Sequence, residues 1–263
     1  MERTLRLDVA YDGTDFFGWQ VQPEVRTVQG ELARALATIL GEPVLPAGAG
    51  RTDTGVHATG QVASFRTTNP IPLDGLTRAL HAVLPADLQV RRVREMPDGF
   101  HARFGAMRRT YRYRIVTRSS PIRRRYAWVR RRLPEAEALT AAMVPWLGRH
   151  SFQAFTQGEG RDGDMHVTLQ RAEWRARGDA RILVLAADRF LYRMVRTVVA
   201  VLVDAFERDR LTPDAMARLV DPDAARPRVA PAPACGLFLA RVDYPREFPA
   251  PAVPWDDAEG GLE

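Results

Sequence analysis

The stretch "GRTDTGVHATGQVASF", residues 50–65, turns a loop into a strand around a single acid. Arg51 stands two residues before Asp53, glycines lie at 50, 55 and 60, and "GQVASF" (60–65) alternates in the manner of a strand. No acid stands within thirteen residues after Asp53, and no cysteine or metal-ligand cluster lies nearby. Two readings fit: a turn in which Arg51 and Asp53 form a structural ion pair, or a carboxylate kept ionised for nucleophilic work. A glycosidase of the two-carboxylate type needs a second flanking acid that this stretch does not supply.

Outward from this loop, strands and helices alternate. "TLRLDVAY" (4–11) places Leu5, Leu7, Val9 and Tyr11 on one face, the pattern of a half-buried strand. "VQGELARALATILG" (28–41) predicts a helix on Val28, Leu32, Leu36 and Ile39, stopped by Gly41. "LDGLTRALHAVLP" closes a second helix at Pro85, and "LQVRRV" (88–93) reads as a strand.

The same rhythm returns after about residue 105. "TYRYRIV" (110–116) sets Tyr111, Tyr113 and Ile115 against Arg112 and Arg114. A helix is predicted over 134–147, with Leu139, Met143 and Trp146 on one side. "VTLQRAEWRA" and "RILVLAA" pair across "RGDA". "FLYRMVRTVVAVLVDAF" (190–206) gives an amphipathic helix, and "TPDAMARLV" one capped by Thr212 with Pro213 in its first turn. "GLFLARVDY" (236–244) reads as a last strand.

This division predicts an α/β (α+β) protein with two similar lobes, 1–105 and 106–244, and a disordered Pro-rich acidic tail, 245–263. A cleft between two such lobes is a natural place for a site.

The chain has 263 residues, and all 38 of its basic residues are arginine. Twelve fall between Arg103 and Arg132 with no acid among them, interleaved with Tyr111, Tyr113, Tyr126 and Trp128. The last nineteen residues hold five acids against one arginine, so the body is more basic than the net +6 indicates. Such a run predicts a surface for a polyanion, with nucleic acid the leading partner. Arg103, Arg108, Arg109 and Arg112 are the best placed for phosphates. The single Cys235 cannot form an internal disulfide, and the five histidines make no metal set. No apolar run is long enough to span a bilayer, and "MERTLRLDVAYDG" lacks the apolar core of a signal peptide; a cytoplasmic protein that uses no membrane is expected.

Five blocks in order carry a resemblance. "GRTDTGVHATGQVASF" resembles the Gly-Arg-Thr-Asp-x-Gly-Val-His loop of the tRNA pseudouridine synthase A (TruA) family. "YDGTDFFGWQVQPEVRTVQGELARAL" resembles that family's first strand, loop and helix, and "FHARFGAMRRTYRYRI" its Phe-His-x-Arg-Phe and Arg-Arg-x-Tyr-x-Tyr segment. "FLYRMVRTVVAVLV" and "APAPACGLFLARVDY" are similar to its Met-Val-Arg helix and closing strand.

The resemblance implies the pseudouridine synthase fold, with a mainly antiparallel sheet, flanking helices and a central basic cleft. It implies a cofactor-free, metal-free isomerase acting on tRNA as a homodimer, converting uridine to pseudouridine at positions 38, 39 and 40 of the anticodon arm on a flipped base. Asp53 is then the nucleophile, toward C1′ of the ribose or C6 of the base. Arg196 is the basic residue paired with it, Tyr111 stacks on the base, and Arg51 contacts the nucleotide's surroundings. His57 is expected to be a structural hydrogen-bonder. The rival reading is a non-catalytic RNA-binding or RNA-chaperone protein on the same fold. The chain departs from the family pattern at "HSFQAF", where Ser151 occupies an acid position, and in the Gly- and Asp-rich run that follows.

Overall fold

The computed structural model describes residues 1–156 and 163–248. The chain divides into two units: residues 1–107 together with the chain from Phe238, and residues 108–237. Both are antiparallel sheets flanked by helices, with one parallel strand pair in each.

In the first unit the strands are β1 (Arg3–Tyr11), β2 (Ala47–Gly48), β3 (His57–Thr67) and β4 (Leu88–Met96). Its helices are α1 (Val28–Leu40) and α2 (Leu73–Val83). Thr27 caps α1 by accepting from the Gly30 amide, and Gly41 ends it in the left-handed region at φ 72°. Leu32 and Leu36 are buried as the periodicity requires, although Leu40 rather than Ile39 completes the apolar face. α2 packs on β4 and α1 on α2.

β1 runs antiparallel between β3 and β4, Leu7 opposite Ala63 on one side and Val93 on the other. It is covered on both faces, not one as the alternation alone suggests. Arg6 is 0% exposed; its Nε donates to Asp8 Oδ1 at 2.8 Å, and its guanidinium lies 5.0 Å from the Tyr244 ring. A charge at a central strand position is tolerated because its partner is buried beside it.

Tyr244 follows the closing strand β10 (Leu237–Asp243), whose Phe238 and Leu239 pair in parallel with His57 and Ala58 of β3. Where the sequence reading gave residues up to 244 to the second lobe, the return of the chain after Phe238 is therefore to the first unit. Of the tail expected to be disordered, residues from 249 lie outside the described residues.

The second unit has strands β5 (Arg108–Val116), β6 (Trp128–Val129), β7 (Gly148–Ser151), β8 (His166–Arg177) and β9 (Ala180–Ala187), in the order β5-β9-β8-β7 with β6 on β5. α3 (Ala136–Met143) packs on β8. It is shorter than the predicted 134–147, because Pro145 tightens residues 144–146 into a 3₁₀ turn; Leu139, Met143 and Trp146 are nonetheless all buried.

α4 (Met194–Glu207) begins four residues later than its periodicity predicts, because Arg193 adopts φ 57° and breaks the helical path. Ten of its residues are buried, spread around the whole circumference rather than along one stripe. α5 (Pro213–Ala217) opens as predicted, with the Thr212 hydroxyl accepting from the Ala215 amide. Within the divergent region after Ser151, residues 157–162 lie outside the described residues. No helix among the described residues is long and apolar enough to cross a membrane.

Candidate active site

Asp53 stands on a turn just before β3, and almost everything around it is fastened. The Val56 amide donates to the Asp53 carbonyl at 3.1 Å, closing the turn. The Trp19 amide donates to the Thr52 carbonyl at 3.0 Å, and the Gly55 amide to the Phe16 carbonyl at 3.2 Å. The buried Thr52 hydroxyl lies 2.8 Å from the Tyr11 hydroxyl. One residue before Arg51, the Gly50 carbonyl accepts from the Gln61 amide group at 2.8 Å.

The loop after β1 therefore forms one wall of the turn, and two glycines permit the approach. A Cβ on Gly13 would stand 2.0 Å from the Val56 carbonyl oxygen, a backbone atom that cannot yield. Gly18, at φ 84°, would bring a Cβ within 2.7 Å of the Thr52 carbonyl oxygen.

On this frame Thr52 is buried, Asp53 half-buried and Thr54 exposed. Arg51 is exposed, and among the described residues it makes no ion pair. The structural Arg51–Asp53 pair, one of the two readings of the loop, is not what the chain forms.

His57 takes the structural part expected of it. It is 1% exposed, its Nδ1 accepts from the Gly13 amide at 3.0 Å, and its ring stacks on Phe238 at 4.7 Å. Tyr11, Thr52, Gln61 and Trp19 were not singled out by sequence reasoning; a polar network between two strands and a loop forty residues apart leaves no local signal.

In the second unit, Tyr111, Tyr113 and Ile115 share a face of β5. Tyr113 is 0% exposed and donates its hydroxyl to the Pro233 carbonyl at 2.8 Å, which makes it a core residue. Tyr111 keeps 8% of its surface, with its ring edge-to-face against Phe190 at 4.9 Å. Arg196 lies half-buried in the first turn of α4. Its Nε donates to the Ala232 carbonyl at 2.7 Å, while the Ala232 amide donates to the Arg196 carbonyl at 3.0 Å. Arg193 is exposed, stacked on Tyr192 at 4.9 Å.

The arginine run is not uniform. Arg103 and Arg108 are exposed; Arg109 and Arg112 are half-buried, and Arg109 donates to the Asp188 carbonyl at 2.8 Å. Arg123 forks onto Asp179 at 2.7 and 3.0 Å, and Arg130 pairs with Glu207. Those two are fixed within the fold, which removes them from any simple solvated track.

Burial pushes the Tyr11 phenol up to about 12, against the lowering effect of its bonds to Thr52 and Gln61, and pushes Tyr113 up also. The sign follows directly. An unfolded tyrosine ionises near pH 10, while these two hold their protons in the fold, so their stabilisation is complete below pH 10 and is lost as pH rises toward and beyond 12. The loss is about 1.4 kcal/mol per pH unit per tyrosine. Denaturant midpoints should fall above pH 10, and Tyr11→Phe should make that fall shallower.

Antiparallel sheets flanked by helices, in a mixed α/β chain, are the architecture of the pseudouridine synthase class of RNA-modifying enzymes. The sequence profile described as tRNA pseudouridine synthase matches residues 9–105 and 142–245, and the chain belongs to that family. It is similar to the tRNA pseudouridine synthase A of Chlorobaculum tepidum, 39% identical over 92% of this chain and 98% of the relative. The corresponding protein of Moorella thermoacetica is 40% identical over 91% of this chain and 99% of the relative. That of Chlorobium luteolum is 40% identical over 94% and 97%.

Proposed function

We propose that this chain isomerises uridine to pseudouridine in the anticodon arm of tRNA, at positions 38, 39 and 40, with Asp53 as the nucleophile. The observation that carries the reading is the Asp53 turn. Its backbone is locked by Trp19, Phe16, Val56 and the Tyr11–Thr52 pair, while its acid is left half-exposed and Arg51 is not spent on it. A turn built only for structure has no need to hold a carboxylate at the surface on so rigid a base.

The chemistry needs no redox partner. The C1′–N1 bond of uridine breaks, the uracil turns, a C1′–C5 bond forms, N1 gains a proton and C5 loses one. Asp53 attacks C1′ or C6; either atom is hidden while the uridine is stacked, so the base must be extruded at a cost of a few kcal/mol. Tyr111 is proposed to stack on the extruded base, Arg196 to supply the positive charge that serves the carboxylate, and Arg51 to hold the nucleotide's surroundings. Acting on neighbouring positions with one site calls for reading shape and backbone rather than base edges, which suits exposed arginines. A homodimer is the proposed working form.

The test is an unmodified tRNA transcript with tritium at C5 of its uridines, incubated with the protein alone. Release of label to water, with product mapped to the 3′ side of the anticodon arm, supports the reading. Binding without release would leave a non-catalytic RNA-binding protein. Affinity should also fall steeply with salt, and Arg108→Ala should lower the log–log slope by somewhat under about one unit, as one lost phosphate contact requires. A flat salt response would remove the arginine surface from the account.

A further inference from the structure

Phe104 is 78% exposed, an unusual position for a phenylalanine in a segment that is otherwise tied down. The turn that carries it is held from four directions. The Ala102 amide donates to Ser64 Oγ at 2.9 Å, and the Ala102 carbonyl accepts from the Tyr244 hydroxyl at 2.7 Å. His101 Nδ1 accepts from the Arg103 amide at 3.1 Å, and the His101 carbonyl from the Gly105 amide at 2.9 Å. Phe100, just before, is in the core against Tyr244 at 5.1 Å. A flexible loop would let the ring fold down onto its neighbours; this turn holds it out in solvent.

What surrounds the ring points to a ligand class. The His101 imidazole lies behind it at 4.5 Å, tilted 36°, and the Arg103 guanidinium stands 5.7 Å from its centre. Burial, and then the neighbouring Arg103, hold His101 below its ordinary pKa, so the imidazole stays a neutral acceptor for the turn rather than a second cation. One aromatic face, backed by a second ring and flanked by a guanidinium, is the arrangement that receives a nucleobase with its phosphate nearby. A protein interface would show a broader apolar field; among the described residues from Phe100 to Tyr111, Phe104 and Met107 are the exposed large apolar ones.

The geometry points to Phe104, backed by His101 and flanked by Arg103, as a stacking platform for an unpaired base of the substrate RNA. It is separate from the residues proposed to act on the target uridine, and it rests on the reading of the chain as a tRNA-modifying enzyme. Its part is to hold the RNA, so its loss belongs in KM rather than in kcat.

The experiment compares wild type, Phe104→Ala and Phe104→Trp on the tritiated transcript, together with sedimentation of each protein. Phe104→Ala should raise KM about 5- to 100-fold with kcat within about threefold, the range that loss of one base–aromatic stack spans. Phe104→Trp should restore KM, and its added surface indole should lose emission when an anticodon stem-loop transcript is bound. Unchanged KM in Phe104→Ala, beside an active wild type, overturns the platform alone. A change in sedimentation with Phe104→Ala assigns the ring to contact between two copies and also overturns it. No release by wild type, by contrast, is failure of the enzymatic reading itself, and the indole response to RNA still tests the platform.

Discussion

Asp53→Asn is expected to release no tritium from C5 of the tRNA transcript above the level without protein, while tRNA affinity stays within a few fold of wild type. The substitution is close to isosteric, and the turn is closed by backbone and hydroxyl bonds. They run through the Asp53 carbonyl, the Thr52 carbonyl and hydroxyl, and the Gly55 amide. Stability should therefore move by under about 1 kcal/mol, as for substitutions at sites of this exposure. Asp53→Glu sharpens the result. It keeps the charge but moves it by a methylene, and displacements of about 1 Å in a reacting group cost about a hundredfold. A glutamate enzyme at near-normal rate would mean that the acid acts through its field and not as a nucleophile. Equal loss of binding and turnover in Asp53→Asn would return the residue to structure.

Much of this frame can be read from the sequence, and the parts that cannot share a cause. Local rules are legible: Thr27 and Thr212 cap their helices because each is followed by a helical run with a free amide three residues on. The alternation of "TYRYRIV" separates the buried Tyr113 from the half-buried Arg112. What fails is whatever depends on a distant segment. β1 reads as half-buried because nothing in residues 4–11 announces that Tyr244 will cover Arg6. The closing strand reads as part of the second lobe because sequence adjacency says nothing of a parallel pairing with His57 and Ala58. Arg123 and Arg130 read as members of one basic run, although Asp179 and Glu207, far along the chain, take them out of it. The Asp53 loop is a mixed case. Its residues announce a site, whereas the Tyr11–Thr52 bond and the Gly13–Val56 approach that make it rigid have no local pattern.

Arg196 separates a structural from a chemical role by magnitude. Its Nε–H bond to the Ala232 carbonyl ties the first turn of α4 to the segment before Cys235. Losing one such bond costs about 1 kcal/mol, which in a protein of this size lowers Tm by about 2–4 °C and leaves it folded at assay temperature. Losing a positive charge that serves a reacting carboxylate costs more, about 10²-fold in rate, by analogy with removal of a single preorganised donor from an active site. Arg196→Ala should therefore lower kcat about a hundredfold with a small change in Tm. Arg196→Lys should recover part of kcat, since it restores the charge while losing the Nε–H donor to Ala232. If Tm falls by much more than 4 °C and the residual kcat tracks the folded fraction, Arg196 is a strap for residues 228–235 and nothing more. If Tm holds and turnover is near normal, the residue leaves the site, and Asp53 requires its positive partner from elsewhere in the chain.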